Sequence, residues 1–252
     1  MKINFNHMKK MKQLGLTMAL VLGITLPVFS QSADEIIQKH EAAMGGADKL
    51  NALKSLILKV KLSIQGNEII STNTYLIGQA VKSETEVMGN KIVQAYDGKS
   101  AWMIRPAMMG GTGKPEDAPA EILESMTSQL QPGSDLFAAK KDGSKIELES
   151  KEKVDGVDAY AFTITNKSGK VTNVYVSTTT YFILKVSSKQ NVNGTEVESE
   201  QNYSNYKPVD GIYFPFTTQT SSPMGGGVLN IEVIAVEVNP KIDPAVFKKP
   251  EN

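Results

Sequence analysis

Few residues in this chain have the type and spacing to do chemistry. Beyond the first thirty positions His40 is the only histidine, and there is no cysteine. His40 falls on the apolar side of a predicted helix, where an imidazole more often packs or caps than acts as a base. His40-Glu41 opens like a zinc-protease motif, but Met44 stands where the second His is required. Without thiols, a zinc site would need several carboxylates together, and no tight carboxylate cluster is present. No Ser sits in a Gly-x-Ser-x-Gly elbow. The run Gly110-Gly111-Thr112-Gly113-Lys114 resembles a phosphate loop only in part. Met108 holds the first Gly position and Pro115 replaces the Ser or Thr after the lysine, so the run is read as a flexible connector. Asp155 and Asp158 fall at a predicted hairpin, where turn chemistry accounts for them. Asn166, Asn193 and Asn202 begin Asn-x-Ser/Thr triplets that are read as chance. The expectation is a protein with no catalytic residues, no metal and no cofactor.

What remains is apolar surface. After residue 30 the methionines are Met44, Met88, Met103, Met108, Met109, Met126 and Met224. Five of them, Met44, Met108, Met109, Met126 and Met224, fall in or near predicted loops and the inserted helix. Methionine is flexible and polarizable, and it suits surfaces that must adapt to variable apolar partners as well as it fills cores.

The elements that must position these residues begin after an address. Lys2, Lys9, Lys10 and Lys12 precede an apolar run from Leu14 to Phe29, followed by Ser30-Gln31-Ser32-Ala33. A basic start, a short apolar middle and a small-residue exit form a secretory signal. The run is short and interrupted by Gly and Pro, whereas a membrane span takes about 20 apolar residues. Residues 1–30 are therefore read as a cleaved signal peptide and residues 31–252 as one domain. The location expected is the periplasm, with no stable membrane insertion. The whole chain has 27 basic and 27 acidic residues, and Arg105 is the only arginine. A nucleic-acid partner would call for a basic excess and clustered Arg, so none is expected.

Ser32-Ala33-Asp34-Glu35 fits a helix-capping box, with Ile36, Ile37, His40 and Ala43 on one face. Gly45-Gly46 ends that helix, and Ala47 to Leu53 adds a turn or two. The period then becomes two. Leu56, Leu58, Val60, Leu62 and Ile64 alternate with Lys59, Lys61 and Ser63, which predicts a strand with one wet and one buried face. Further strands are predicted at 70–77, 81–88, 91–96 and 101–104. The pattern breaks from Pro106 to Lys141, where Pro115 to Gln131 reads as a helix with Ile122, Leu123, Met126 and Leu130 on one side. It resumes with predicted strands at 145–153, 159–166, 171–177, 182–191, 195–206, 212–220 and 228–238, several separated by Asp-Gly, Ser-Gly or Asn-Gly turns. The fold class expected is mainly β: an incomplete, strongly curved antiparallel barrel of about eleven strands, with an N-terminal helix and an inserted helical lid.

A sheet of that width can enclose a cavity. Its candidate lining is Leu58, Val60, Leu62 and Ile64, with Trp102 and Met103. The candidate lid face is Ile122, Leu123, Met126 and Leu130. Each acyl methylene moved out of water into such a pocket contributes about 0.8 kcal/mol.

Several segments along the chain resemble the periplasmic outer-membrane lipoprotein-sorting proteins, the LolA-like group, in a Bacteroidetes-type form. They are His40–Gly46 with Leu50–Leu56, Tyr96–Trp102 with Arg105-Pro106, Val154–Tyr160, Tyr175–Ser177, Tyr181–Lys185 and Asn205–Pro215. The resemblance implies a half-open barrel plugged by helices. It also implies a carrier role, in which acyl chains of lipoproteins or lipids are bound for transfer towards the outer membrane. Partners implied are an acylated lipoprotein or lipid and transient inner- and outer-membrane proteins, with the carrier itself a monomer. A polar contact between a barrel Arg and the lid is part of the family pattern, and Arg105 is its sole candidate here. The same fold also serves as an envelope sensor or interaction module with no transfer role, and that is the alternative reading.

Overall fold

Alternation along the strands and proline placement between them account for most of the architecture. A computed structural model describes residues 31–251 apart from 65–66, 132–134, 193–194 and 222–227, and it leaves out the side chains of Ile64, Asn67 and 190–197. The proposed signal peptide, Met224 and Asn193 lie outside the described residues.

The chain enters through α1 (Ala33–Ala43), capped by the Ser32 hydroxyl, which accepts from the Glu35 amide at 3.2 Å. Gly45 and Gly46, both at positive φ, turn the chain into α2 (Ala47–Ala52). Gly45 is irreplaceable on contact grounds as well, since a Cβ there would collide with the Gly211 carbonyl. Five strands then run as a meander: β1 (Ser55–Ile64), β2 (Asn67–Leu76), β3 (Ala80–Val87), β4 (Asn90–Tyr96) and β5 (Ala101–Ile104). A 3-10 turn at Ala107–Met109 leads to β6 (Pro115–Asp117), and helices α3 (Ala120–Ser128) and α4 (Asp135–Asp142) follow. Seven more strands complete the chain: β7 (Lys145–Val154), β8 (Val157–Thr165), β9 (Val171–Ser177), β10 (Ile183–Val192), β11 (Thr195–Val209), β12 (Ile212–Ser221) and β13 (Val228–Val238). A second 3-10 turn, Pro244–Phe247, lies near the end.

All thirteen strands join one antiparallel sheet in the order β6-β5-β4-β3-β2-β1-β13-β12-β11-β10-β9-β8-β7. The sheet curls without closing, so the incomplete barrel is as expected, with thirteen strands in place of about eleven. The insertion differs in detail. Pro115–Asp117 is a short edge strand, and the helix begins only at Ala120. Pro119 explains this: it biases Ala118 to extended backbone and itself takes the N-cap place at φ −60°, ψ 161°. Late in the same break, Asp135–Asp142 forms a second helix of eight residues.

Two clusters fill the inside of the curl. Ile36 and Ile37 of α1 and Leu136 and Ala139 of α4 pack on Tyr160, Phe162, Val174, Val176 and Ile183 of β8–β10. Leu50 and Leu53 beside α2, with Met126 of α3, pack on Leu56, Tyr75, Val81, Ala101, Ile212 and Phe214. The outer face is charged. Lys61 bridges Glu68 and Glu232 at 3.1 and 3.0 Å, and Glu84 holds Lys82 and Lys91 at 3.2 and 2.7 Å. A membrane-spanning barrel turns an apolar band outward; these rows do not. Among the described residues no helix is long and apolar enough to cross a membrane.

A candidate ligand groove under the inserted helix

Directly paired residues of an antiparallel sheet share a face, so the register defines the inner rows. On β1 the inner residues are Leu56, Leu58, Val60 and Leu62. Their partners on β13 are Val238, Val236, Val233 and Ile231. A bulge between Lys59 and Val60 skips Ile234 and keeps the apolar residues facing inward on both sides of it. On the other side Leu56 meets Tyr75, Tyr75 meets Val81, Val81 meets Tyr96 and Tyr96 meets Ala101. This row lies against α2 and α3 and is closed: Leu56 is 0% exposed and Tyr75 6%.

The rows farther along the strands are closed only in part, at Val60 and Met103. Leu58, Leu62, Ile231, Val233 and Val236 are each half-buried although they face inward. Beside them, against β4 and β5, α3 is anchored by Met126, its one fully buried residue. Ile122, Leu123 and Leu130 on the same side are half-buried and pack with Leu58 in the cluster that holds Met126. The end of α3 is tied down where the Gly78 amide donates to the Leu130 carbonyl at 2.8 Å. The result is a half-buried apolar surface on β1 and β13 beside a helix that packs on β4 and β5, a candidate groove.

The expected lining is brought together in large part. Leu58, Ile122, Leu123, Met126 and Leu130 share one cluster, and Val60 and Leu62 continue the Leu58 row. Met103 is inward-facing, paired with Gln94 and 5% exposed. The Ile64 side chain lies outside the described residues. Trp102 is a correction. Neighbours on a strand point to opposite faces, so Trp102 and Met103 cannot both line the groove. Trp102 packs on the outer face with Val93, Ala95 and Ile104. Its Nε1–H donates to the Phe247 carbonyl at 2.7 Å, which holds the C-terminal 3-10 turn against the sheet.

Arg105 does not reach the lid. Its Nε donates to Glu116 Oε1 at 2.7 Å, joining the end of β5 to β6. His40 is fully buried, and its Nδ1 lies 2.7 Å from the Tyr181 carbonyl. A carbonyl only accepts, so Nδ1 carries the proton. Burial outweighs that hydrogen bond and the nearby Glu41 charge, and it holds the imidazole below its usual pKa. His40 thus packs and links α1 to the β9–β10 turn. Among the described residues no group of three or more His, Cys, Asp or Glu is placed to hold a metal. A polar cleft of about 360 Å³ lies beside Lys151, Glu152, Lys153, Asp158 and Thr178. Its walls pair with each other, Lys153 with Asp158 at 2.7 Å.

Three features of the interior escaped the sequence reading. Phe182 stacks on Tyr206 at 4.2 Å and meets Tyr213 at 5.4 Å. The Tyr206 hydroxyl donates to the Ile183 carbonyl at 2.9 Å, and burial raises the pKa of Tyr206 and Tyr203. Burial likewise pushes Tyr75 up to about 12, so these phenols stay neutral. The third feature is polar. Asn73 pairs with Leu58, Ser83 with Asn73, and Gln94 with Ser83, so three neutral polar side chains face the groove in one row.

No family model matches the chain, and no curated protein sequence matches it. Solved structures do. A LolA superfamily protein from Nitrosomonas europaea is 13% identical, with a TM-score of 0.59 over 87% of this chain and 99% of that one. A DUF1329 family protein from Desulfovibrio piger is 15% identical, with a TM-score of 0.57 over 87% and 98%. A domain from Vibrio parahaemolyticus, named for outer membrane lipoprotein sorting, is 15% identical, with a TM-score of 0.54 over 85% and 95%. At these identities the likeness establishes the fold: the chain has the half-open barrel of LolA-like proteins.

Proposed function

We propose that this protein is a periplasmic carrier that holds the acyl chains of a lipoprotein or lipid in the groove beneath α3 for transfer towards the outer membrane. The observation that carries the reading is a row of inward-facing apolar residues left half-buried, Leu58, Leu62, Val233 and Val236, of which Leu58 and Val236 share an apolar cluster with the half-buried face of a short inserted helix. Water against such a surface is costly. Burying about ten methylenes there would contribute about 8 kcal/mol before the cost of ordering the ligand. No charged group is needed for that, and no catalytic group is invoked. Residues 1–30 supply the export signal, and the charged outer face suits an aqueous compartment.

The test is native mass spectrometry of the mature protein purified from its own envelope, followed by organic extraction. A stoichiometric lipid or acylated peptide, lost in the Leu62→Asp, Met126→Asp double variant, supports the carrier. A ligand-free mass with no uptake of a fluorescent fatty-acid ester removes it. A stable complex with an envelope protein, without lipid turnover, would favour the sensor or interaction module instead.

A further inference from the structure

We propose that the groove recognises a neutral acyl carbonyl, an ester or amide, through the side-chain amides of Asn73 and Gln94, and that it rejects free carboxylates. This inference rests on the acyl-binding reading above. The inner row that starts at Val236 and Leu58 continues across the sheet as Asn73, Ser83, Gln94 and Met103. The next row continues Val60 as Ser71 and Thr85. The hydroxyls in these rows satisfy one another. Thr85 donates to Ser71 Oγ at 2.9 Å, and Ser71 and Ser83 lie 3.4 Å apart.

The two amides are different. Asn73 and Gln94 are half-buried on the inner face, and neither side chain has a hydrogen-bond partner among the described residues. They stand two strands apart, about 10 Å at ordinary strand spacing. An acyl chain lying along Leu58, Leu62 and Val233 would bring its linkage carbonyl beside them. Each amide N–H₂ would donate to such a carbonyl, which otherwise loses its water with no replacement.

Charge decides which head group fits. The inner rows of β1–β4 and β13 carry no charged side chain. Arg105, just past the end of β5, is already held by Glu116 at 2.7 Å. A carboxylate entering the groove would therefore be desolvated without a counter-charge, which is far more costly than burying an ester.

The experiment is displacement of the fluorescent probe N-phenyl-1-naphthylamine by 1-monooleoylglycerol and by oleate at pH 8, below the micellar concentration of each. The wild type is expected to bind the monoglyceride at least about tenfold more tightly than oleate, because the carboxylate would be desolvated without a counter-charge. In the Asn73→Leu, Gln94→Met variant, which conserves side-chain volume, loss of the two hydrogen bonds weakens monoglyceride binding about tenfold. Gln94→Lys supplies the missing cation and inverts the preference. Circular dichroism and thermal unfolding check that both variants fold. Equal binding of the two lipids by wild type, or unchanged monoglyceride affinity in the double variant, overturns the assignment and leaves the groove intact. Failure of the probe and both lipids to bind wild type sinks the groove reading itself, and this inference with it.

Discussion

Met126→Ala separates a docked lid from an integral part of the core. Helix α3 has nine residues, and no side chain caps its N-terminus. A helix that short does not persist alone in water, so its order comes from docking. Met126, 4% exposed, is the one fully buried residue in it. Truncating a buried Met to Ala costs about 2–5 kcal/mol. If about 3 kcal/mol of that falls on docking, the opening equilibrium of α3 shifts by about two orders of magnitude. Native-state hydrogen exchange followed by mass spectrometry reads this directly. Amides of Leu123–Ser128 should lose protection by about a hundredfold. Those of β1 and β13, paired along eight positions, should hold theirs. Loss of protection spread equally over α3, β1 and β13 would mean that the helix opens only with the whole sheet. No change in α3 would mean that Met126 does not hold it. Either result refutes the lid.

His40 and Trp102 give two further tests. Unfolded, His40 titrates near 6.5; folded, it titrates lower because it is buried. Below about pH 6.5 the unfolded chain therefore binds a proton that the folded protein resists, and stability falls as the pH drops towards the folded pKa. Urea unfolding from pH 7.5 to 5 should show that slope in wild type, and His40→Gln should flatten it. Trp102→Phe removes the donor to the Phe247 carbonyl and should cost about 1–3 kcal/mol, read by circular dichroism because this is the only tryptophan. Lipid uptake should persist in that variant, since Trp102 packs outside the groove; its loss would place the indole in the binding site.

Much of the barrel could be read from the sequence because half-buried strands write their exposure as period two. Leu56 to Ser63 is the clearest case, with inner and outer residues alternating as the sequence predicts. What period could not give was short or non-local. Pro115–Asp117 is too brief to show a pattern, and its pairing depends on β5 lying beside it. Trp102 was misplaced because size and hydrophobicity suggested a lining residue where alternation assigns the opposite face. The polar row is the instructive omission. Asn73, Ser83 and Gln94 come from three strands, and each looks like an ordinary polar residue in its own segment. Only the register, a one-residue property of each pairing, puts them side by side.

The order of the sheet has a consequence for how the protein is made. Its middle is a seam between the first strand and the last, with Leu56 beside Val238. The two meanders on either side can form from neighbouring segments as they emerge, but the seam waits for β13, near the end of the described chain. Until then β1 presents an unpaired edge and the floor of the groove is missing one wall. A nascent chain is thus kept from completing its barrel throughout synthesis, which is the condition a polypeptide needs if it is to be threaded unfolded through an export channel.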